Sequence, residues 1–182
     1  QPQLTQRTHP VGKRPAVLYH GSAFLAEKLQ PSFNITGEEV VWDETESNRF
    51  LFCTEDKDFA TQMGFATAIE KKVNLKGFHS EGKTIVIDLY KDSSPLNRIM
   101  LSKIVFYVYT IRTGSEDNWI KNDNPVNNAP NEWKTQNTIR RIVRVERMSC
   151  MDYIKDKDLT IKHPRYPTIE IFNATSKEAK VS

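Results

Sequence analysis

The chain carries only two cysteines, Cys53 and Cys150, in 182 residues. A single bridge cannot staple a fold, and a chain that buries roughly 70% of its unfolded surface needs no staple. Glycine is scarce, with seven residues, and none of them builds a Gly-rich phosphate loop. There is no GxSxG elbow, no HExxH pair and no CxxC, so the P-loop, α/β-hydrolase, zincin and zinc-ribbon chemistries all lack their residues. His9, His20, His79 and His163 are far apart, and a metal would need ligands gathered from separate loops. No apolar run approaches the roughly 18 residues that span a bilayer, and residues 1–14 contain no apolar segment of signal-peptide type. An excess of one charge is missing too: 26 Lys plus Arg face 23 Asp plus Glu, and a net +3 does not predict nucleic-acid binding from bulk charge. A reducing cytoplasmic setting with no membrane partner is the default expectation.

What is present suffices for one core, since hydrophobic residues make up 38% of the chain and aromatics 10%. Residues 1–14 have no periodicity and predict a flexible arm, residues 15–172 the domain, and residues 173–182 a polar tail. Ala16-Val17-Leu18-Tyr19 reads as a strand, interrupted by His20-Gly21-Ser22 where it would meet a loop. Phe24, Leu25 and Leu29 have helical spacing and predict a short helix over residues 23–29, stopped by Pro31. Residues 37–48 hold five acidic side chains, Glu38, Glu39, Asp43, Glu44 and Glu46, and predict a solvated loop around Val40, Val41 and Trp42.

Phe50 to Cys53 predicts a second strand, and Thr54 the N-cap of a helix reaching about Lys72, with Phe59, Met63, Ala66 and Ile69 on one face. Residues 77–82 read as a loop, residues 84–90 and 103–112 as strands, and Ser94-Pro95 as the opening of a short helix. Residues 113–131 are rich in Asn and Pro and lack apolar periodicity; a loop that long in a compact domain is often functional. Alternation over residues 138–145 predicts a strand with a charged face, residues 149–153 a helical turn, and residues 168–172 a last strand. The class is α+β, a single domain with a mostly antiparallel sheet and short helices.

Two positions stand out for chemistry. His20 follows an apolar strand and precedes Gly21, whose missing side chain lets a ligand approach the backbone, as in the floor of a pocket. The plainer use of such a residue is a strand-end histidine satisfied by a carbonyl. Glu132 sits where the long loop meets a strand, and a carboxylate there could stabilise a developing cation or simply be solvated.

Leu18-Tyr19-His20-Gly21-Ser22 resembles the first motif of the ADP-ribosyltransferases of the diphtheria-toxin and poly-ADP-ribose-polymerase branch, an aromatic-His-Gly-Ser/Thr segment ending a core strand. Phe50-Leu51-Phe52-Cys53-Thr54, followed by a helix bearing Ala60, resembles the second. Asn131-Glu132-Trp133 resembles the third, Asn-Glu-Tyr, whose glutamate is catalytic. Order and spacing match, and the resemblance covers most of residues 15–147. It implies a split-sheet fold with NAD as substrate and Glu132 as the catalytic carboxylate. It further implies that His20 binds the adenosine ribose, that Gly21 presents backbone groups to the carboxamide, and that Ser22 supports them. The tyrosines that sandwich nicotinamide in the family fall at Leu51 or Phe52 and at Gln62, with Phe65 three places on. Phe52, Gln62 and Phe65 are therefore the candidate ring-binding positions.

The function implied is mono-ADP-ribosyl transfer from NAD to a protein or nucleic-acid acceptor, in the cytoplasm or as a secreted effector or toxin. Residues 113–131 would face the acceptor. Pro130 stands where the arginine-modifying branch has Gln or Glu, so nothing supports arginine as acceptor. The alternatives are a degenerate module binding NAD, ADP-ribose or nucleic acid, an interaction protein without pocket chemistry, and an RNA 2'-phosphotransferase. The last needs a basic phosphate site, for which Arg140, Arg141, Arg144 and Arg147 are candidates, although such a run is more often a solvated strand face. Glu146 is the second candidate carboxylate, in a charged run where a surface ion pair is the commoner role.

Overall fold

The computed structural model describes residues 13–42, 46–73, 75–81, 84–93, 96, 98–123 and 129–162. β1 (Val17–Ser22) pairs antiparallel along its whole length with β5 (Val105–Arg112), from Val17 opposite Arg112 to Ser22 opposite Tyr107. Around them a six-stranded sheet is completed by β2 (Leu51–Thr54), β6 (Ile120–Lys121), β7 (Glu132–Thr135) and β8 (Ile142–Ser149), in the order β6-β7-β2-β1-β5-β8. All its pairs are antiparallel. A smaller sheet joins β3 (Leu75–Glu81), β4 (Thr84–Leu89) and β9 (Thr160–Lys162), with β9 parallel to β4. Among the described residues the α-helices are α1 (Phe33–Thr36), α2 (Lys57–Glu70), α3 (Arg98–Lys103) and α4 (Cys150–Lys157), and Ser115–Asp117 form a 3-10 turn inside the segment expected to be loop.

β5 explains the layering. Phe106 and Val108 point to one face of the sheet and Tyr109 and Ile111 to the other, and all four are buried. The first face packs with Phe65 and Ile69 of α2 and Tyr153 and Ile154 of α4; the second packs with Leu18, Leu51, Trp133 and Ile139. Covered on both faces, the strand reads as a nearly continuous apolar run.

Several local expectations change. β1 continues through His20, Gly21 and Ser22, because β5 supplies hydrogen-bond partners to its end. Residues 23–29 form no helix: the Tyr109 hydroxyl accepts from Ala26 N (2.8 Å) and donates to Phe24 O (2.6 Å), while Leu29 bridges Ile139. Asp56, not Thr54, caps α2 by accepting from Phe59 N at 3.0 Å, and the helix ends at Glu70. Much of the expected loop over residues 77–82 is strand β3, with Gly77 at a register shift. The charged strand starts at Ile142, the helical turn at 149 grows into α4, and β9 was not anticipated. Within residues 37–48, residues 40–42 are bonded to residues 46–48: Trp42 N donates to Glu46 O and Asn48 N to Val40 O. The Asn48 side chain accepts from Val40 N and donates to Ser32 Oγ and Glu38 O. The strand expected over 168–172, the opening at Ser94-Pro95, the polar tail and nearly all of the arm lie outside the described residues.

The helix lies directly against the sheet at one point. A Cβ built on Gly21 would fall 1.9 Å from the Ala60 carbonyl oxygen and 2.5 Å from Gly64 N, and one built on Gly64 would fall 3.2 Å from the Gly21 Cα. Only hydrogen at both positions allows this approach. At Gly21 the obstruction is helix backbone, whereas at Gly64 the nearest atom, at 2.9 Å, belongs to the Phe106 ring. Gly21→Ala is therefore expected to cost about 3 kcal/mol or more and Gly64→Ala less. Thermal denaturation measures the order, and a Gly21→Ala protein melting with the wild type would refute the contact.

Candidate functional site

β1 and β2 part almost as soon as they meet, with Tyr19 opposite Thr54 as their one paired position. The parting leaves a β2 carbonyl without a strand partner, and such a group must be satisfied. His20 does it: Nδ1 lies 2.8 Å from Phe52 O. Since a carbonyl only accepts, Nδ1 carries the proton and Nε2 presents a lone pair. Burial lowers the ring's proton affinity, with the Phe52 bond acting the other way, which favours the neutral form.

The gap opens into a cavity of about 490 Å³, of the size that holds small organic ligands. His20 and Gly21 from β1, Phe52 and Thr54 from β2, and Glu132 from β7 line it. The α2 wall is Phe59, Ala60, Met63 and Thr67, the i, i+4 face of the helix. Trp42 and Glu46 close the remaining side. The Trp42 and Phe52 rings are tilted at 55° with centroids 5.9 Å apart, and Trp42 remains 54% exposed, so its indole has free surface to offer.

Glu132 is fixed from two directions. Asn131, just before it, has φ 44°, a left-handed conformation that asparagine tolerates better than most residues. The Asn131 carbonyl accepts from Glu55 N at 3.1 Å and its side chain from Lys121 Nζ at 3.2 Å. Thr54 Oγ1 donates to Pro130 O, and Trp133 Nε1 donates to Glu55 Oε2 at 2.9 Å. The end of the long segment is thus tied to the start of α2. From the other side Asn122 Nδ2 donates to Glu132 Oε1 at 2.7 Å.

Burial raises the Glu132 carboxyl to about 7; the Asn122 bond opposes the rise, the charge of Glu46 adds to it and Lys134 opposes it. Lys134 lies two residues along β7, hence on the same face, and its Nζ stands 3.6 Å from Glu46 Oε1 and 4.6 Å from the Phe50 ring centroid. Glu46 is 1% exposed, a correction to its expected place in a solvated loop. Burial, and then the charge of Glu132, drive the Cys53 thiol well up, so it stays protonated and inert.

Other candidates fall elsewhere. Phe65 is fully buried in the core, its ring 4.7 Å from Tyr153 and 6.2 Å from Phe106, and it does not line the cavity. Gln62 does not line it either, since the helix turns Phe59 and Met63 inward instead. Ser22 closes a turn by accepting from Phe24 N at 3.0 Å. Glu146 pairs with Lys57 at 2.6 Å and Arg144 at 3.7 Å, away from the cavity. Arg140, Arg141, Arg144 and Arg147 are exposed on or just before β8, on the far side of β1 and β5 from β7. His79 is held between Asp88 and Glu81, which raise its proton affinity. Among the described residues there is no group of three metal-ligating side chains, and no helix is long and apolar enough to cross a membrane. Sequence reasoning missed Trp42, Glu46, Asn122 and Lys134, while Phe59 and Met63 were visible as a helix face.

The raised carboxyl has a cost in stability. From about 4.5 in the unfolded chain to about 7 in the fold, protonated Glu132 favours folding, and that contribution is lost as pH rises through 7. Glu132→Gln cannot ionise, and its amide oxygen can still accept from Asn122. Discounted for partial exposure, the variant should gain about 1–2 kcal/mol over wild type at pH 8 relative to pH 4.5. Denaturant unfolding at the two pH values measures this, and an equal difference at both would refute it.

Compared with protein families, with curated proteins and with solved structures, the chain finds no match.

Proposed function

We propose that the cavity binds NAD and that the protein is an ADP-ribosyltransferase of the diphtheria-toxin and poly-ADP-ribose-polymerase kind, passing ADP-ribose to a protein or nucleic-acid acceptor. The observation that carries the reading is that His20, Phe52 and Glu132, from three strands, line one cavity. The parting of β1 from β2 is compatible with a split sheet. Breaking the nicotinamide-ribose bond puts positive charge on the ribose, and an ionised Glu132 beside it lowers the energy of that state. The electron pair of the bond leaves on nicotinamide. The His20 Nε2 lone pair accepts from a ribose hydroxyl, and Phe52, with Trp42 and Phe59 in place of the family's tyrosines, offers ring faces for nicotinamide. Gly21 packs against α2, so its part in binding is confined to backbone groups. The arginines near β8 stand outside the cavity and lend the phosphotransferase no support.

A second reading, binding of NAD or ADP-ribose without turnover, is favoured by one observation: neither Leu51 nor Gln62 supplies a ring to the cavity. Incubation with NAD, followed for free nicotinamide with and without acceptors, separates the two. On the transferase reading, Glu132→Gln lowers turnover by on the order of 100-fold with little change in NAD affinity. Wild-type turnover rises with pH around a midpoint near 7, because only the ionised carboxylate serves. No nicotinamide release under any acceptor condition would leave the binding reading.

His20→Ala tests either reading. Losing one hydrogen bond to the ligand should weaken NAD binding by about 5- to 30-fold, read by calorimetry on protein whose fold is verified. Unchanged affinity would remove His20 from the site.

A further inference from the structure

We propose that the outer edge of β8 docks a second copy of this chain, the two β8 strands pairing antiparallel about Val145. β8 ends the order of the large sheet and runs from Ile142 to Ser149 with β5 on one side. Among the described residues no strand pairs with its other side. The edge is open: the Arg144 side chain is 67% exposed, and Val143 and Val145 are 52% and 39% exposed. Such an edge offers a row of backbone donors and acceptors to any strand that meets it, and proteins commonly blunt it with charge. On β8 the charges are ordered so that they match themselves.

Residues directly opposite each other in an antiparallel pair share a face and interact. With Val145 opposite Val145 of the copy, Arg144 stands opposite Glu146 and Glu146 opposite Arg144, while Ile142 and Met148 face each other at both ends of the same row. On the other face the two valines at 145 meet, flanked by Val143 against Arg147. A slip of two residues sets Arg144 against Arg144 or Glu146 against Glu146, and a slip of one sets Glu146 against Val143 or Val145. Only the pairing about Val145 matches the charges. Within one chain Glu146 is half satisfied: Lys57 Nζ lies 2.6 Å from Oε1, whereas the Arg144 guanidinium is 3.7 Å from Oε2, beyond hydrogen-bond reach. The Arg144 of the copy supplies that donor. The register shift against β5 falls at Val143, outside the three central positions. No cavity-lining residue lies on β8, so the inference is independent of what the cavity binds.

Sedimentation equilibrium on the whole chain tests the proposal. One strand pairing makes a small interface of the transient class, so the wild type should dimerise reversibly in the micromolar to submillimolar range. Arg144→Glu replaces two matched pairs with two like-charge pairs and should weaken the dimer on the order of tenfold, as should Glu146→Arg. Mixed in equal amounts the two variants complement each other, and the mixture should form a heterodimer on the order of tenfold tighter than either variant alone. Because Glu146 also holds Lys57, cross-linking supplies a second test that leaves both charges in place. The native Cys53 and Cys150 are buried. Val145→Cys sets two thiols opposite each other within disulfide reach and should oxidise to a covalent dimer, whereas Val143→Cys, opposite Arg147, should do so far more slowly. A wild-type chain that stays monomeric into the submillimolar range, a dimer indifferent to Arg144→Glu, or equal cross-linking from positions 143 and 145 would each overturn the proposal.

Discussion

The contact between the Gly21 backbone of β1 and the Ala60–Gly64 backbone of α2 is the constraint on which the rest depends. With no side chain between them, the helix cannot slide or lift without losing the fit, and its rotation about its own axis is fixed. That rotation sends Phe65 and Ile69 into the core against Phe106 and Tyr153, and Phe59, Met63 and Thr67 toward the gap between β1 and β2. The cavity follows from both facts together. A helix pressed on β1 cannot also fill the space above a β2 that has turned away, and aromatic and polar side chains line what is left. Cavity-lining groups gain less from packing than core groups, so the close contact at Gly21 stabilises a neighbour that stabilises itself poorly.

The parting of the two strands also sets the hydrogen-bond chemistry of the site. Along β2 and just beyond it, groups that β1 does not pair bond instead to His20, which lines the cavity, and to the two residues that precede Glu132. Phe52 O takes the His20 ring, Glu55 N takes Asn131 O, and Thr54 Oγ1 reaches Pro130 O. The tautomer of His20 and the backbone turn that delivers Glu132 are therefore consequences of satisfying β2. Structural and functional roles are not rivals at these positions: a strand-end histidine bonded to a carbonyl is also a histidine with a fixed free lone pair.

Legibility in the sequence followed the range of the interactions that decide each element. β5 could be read because Val105-Phe106-Tyr107-Val108-Tyr109 carries its own strand preference, and α2 because its apolar spacing is local. Residues 23–29 could not, because the Tyr109 hydroxyl, more than eighty positions away, holds them out of a helix. The closing of residues 40–42 on residues 46–48 depends on three hydrogen bonds of one asparagine side chain, and the burial of Glu46 on a lysine in a distant strand. Counting from Ala60 put Gln62 and Phe65 at the site. The helix rotation that overrides the count is set by two glycines whose contact no periodicity encodes. The three short motifs fared better at placing His20, Phe52 and Glu132 together because each sits on its own strand, and strand pairing brings them together without fine detail.

One physical cause acts in opposite directions on the two groups that matter most. Burial disfavours charge whatever its sign, so it lowers the proton affinity of His20 and raises that of Glu132. Near neutrality the first is a neutral acceptor, and the second a carboxyl that can donate when protonated and accept when not. Environments that drive titratable neighbours apart in this way are what distinguish acid and base roles within one site. Here the separation needs no special neighbour for His20, only withdrawal from water. For Glu132 the withdrawal is adjusted by three groups: Asn122 and Lys134 pull the carboxyl toward ionisation and Glu46 pushes it back. Withdrawal from water and the charge of Glu46 favour the protonated carboxyl, while the Asn122 bond and the charge of Lys134 favour the ionised one. The balance of all three leaves Glu132 responsive to what enters the cavity.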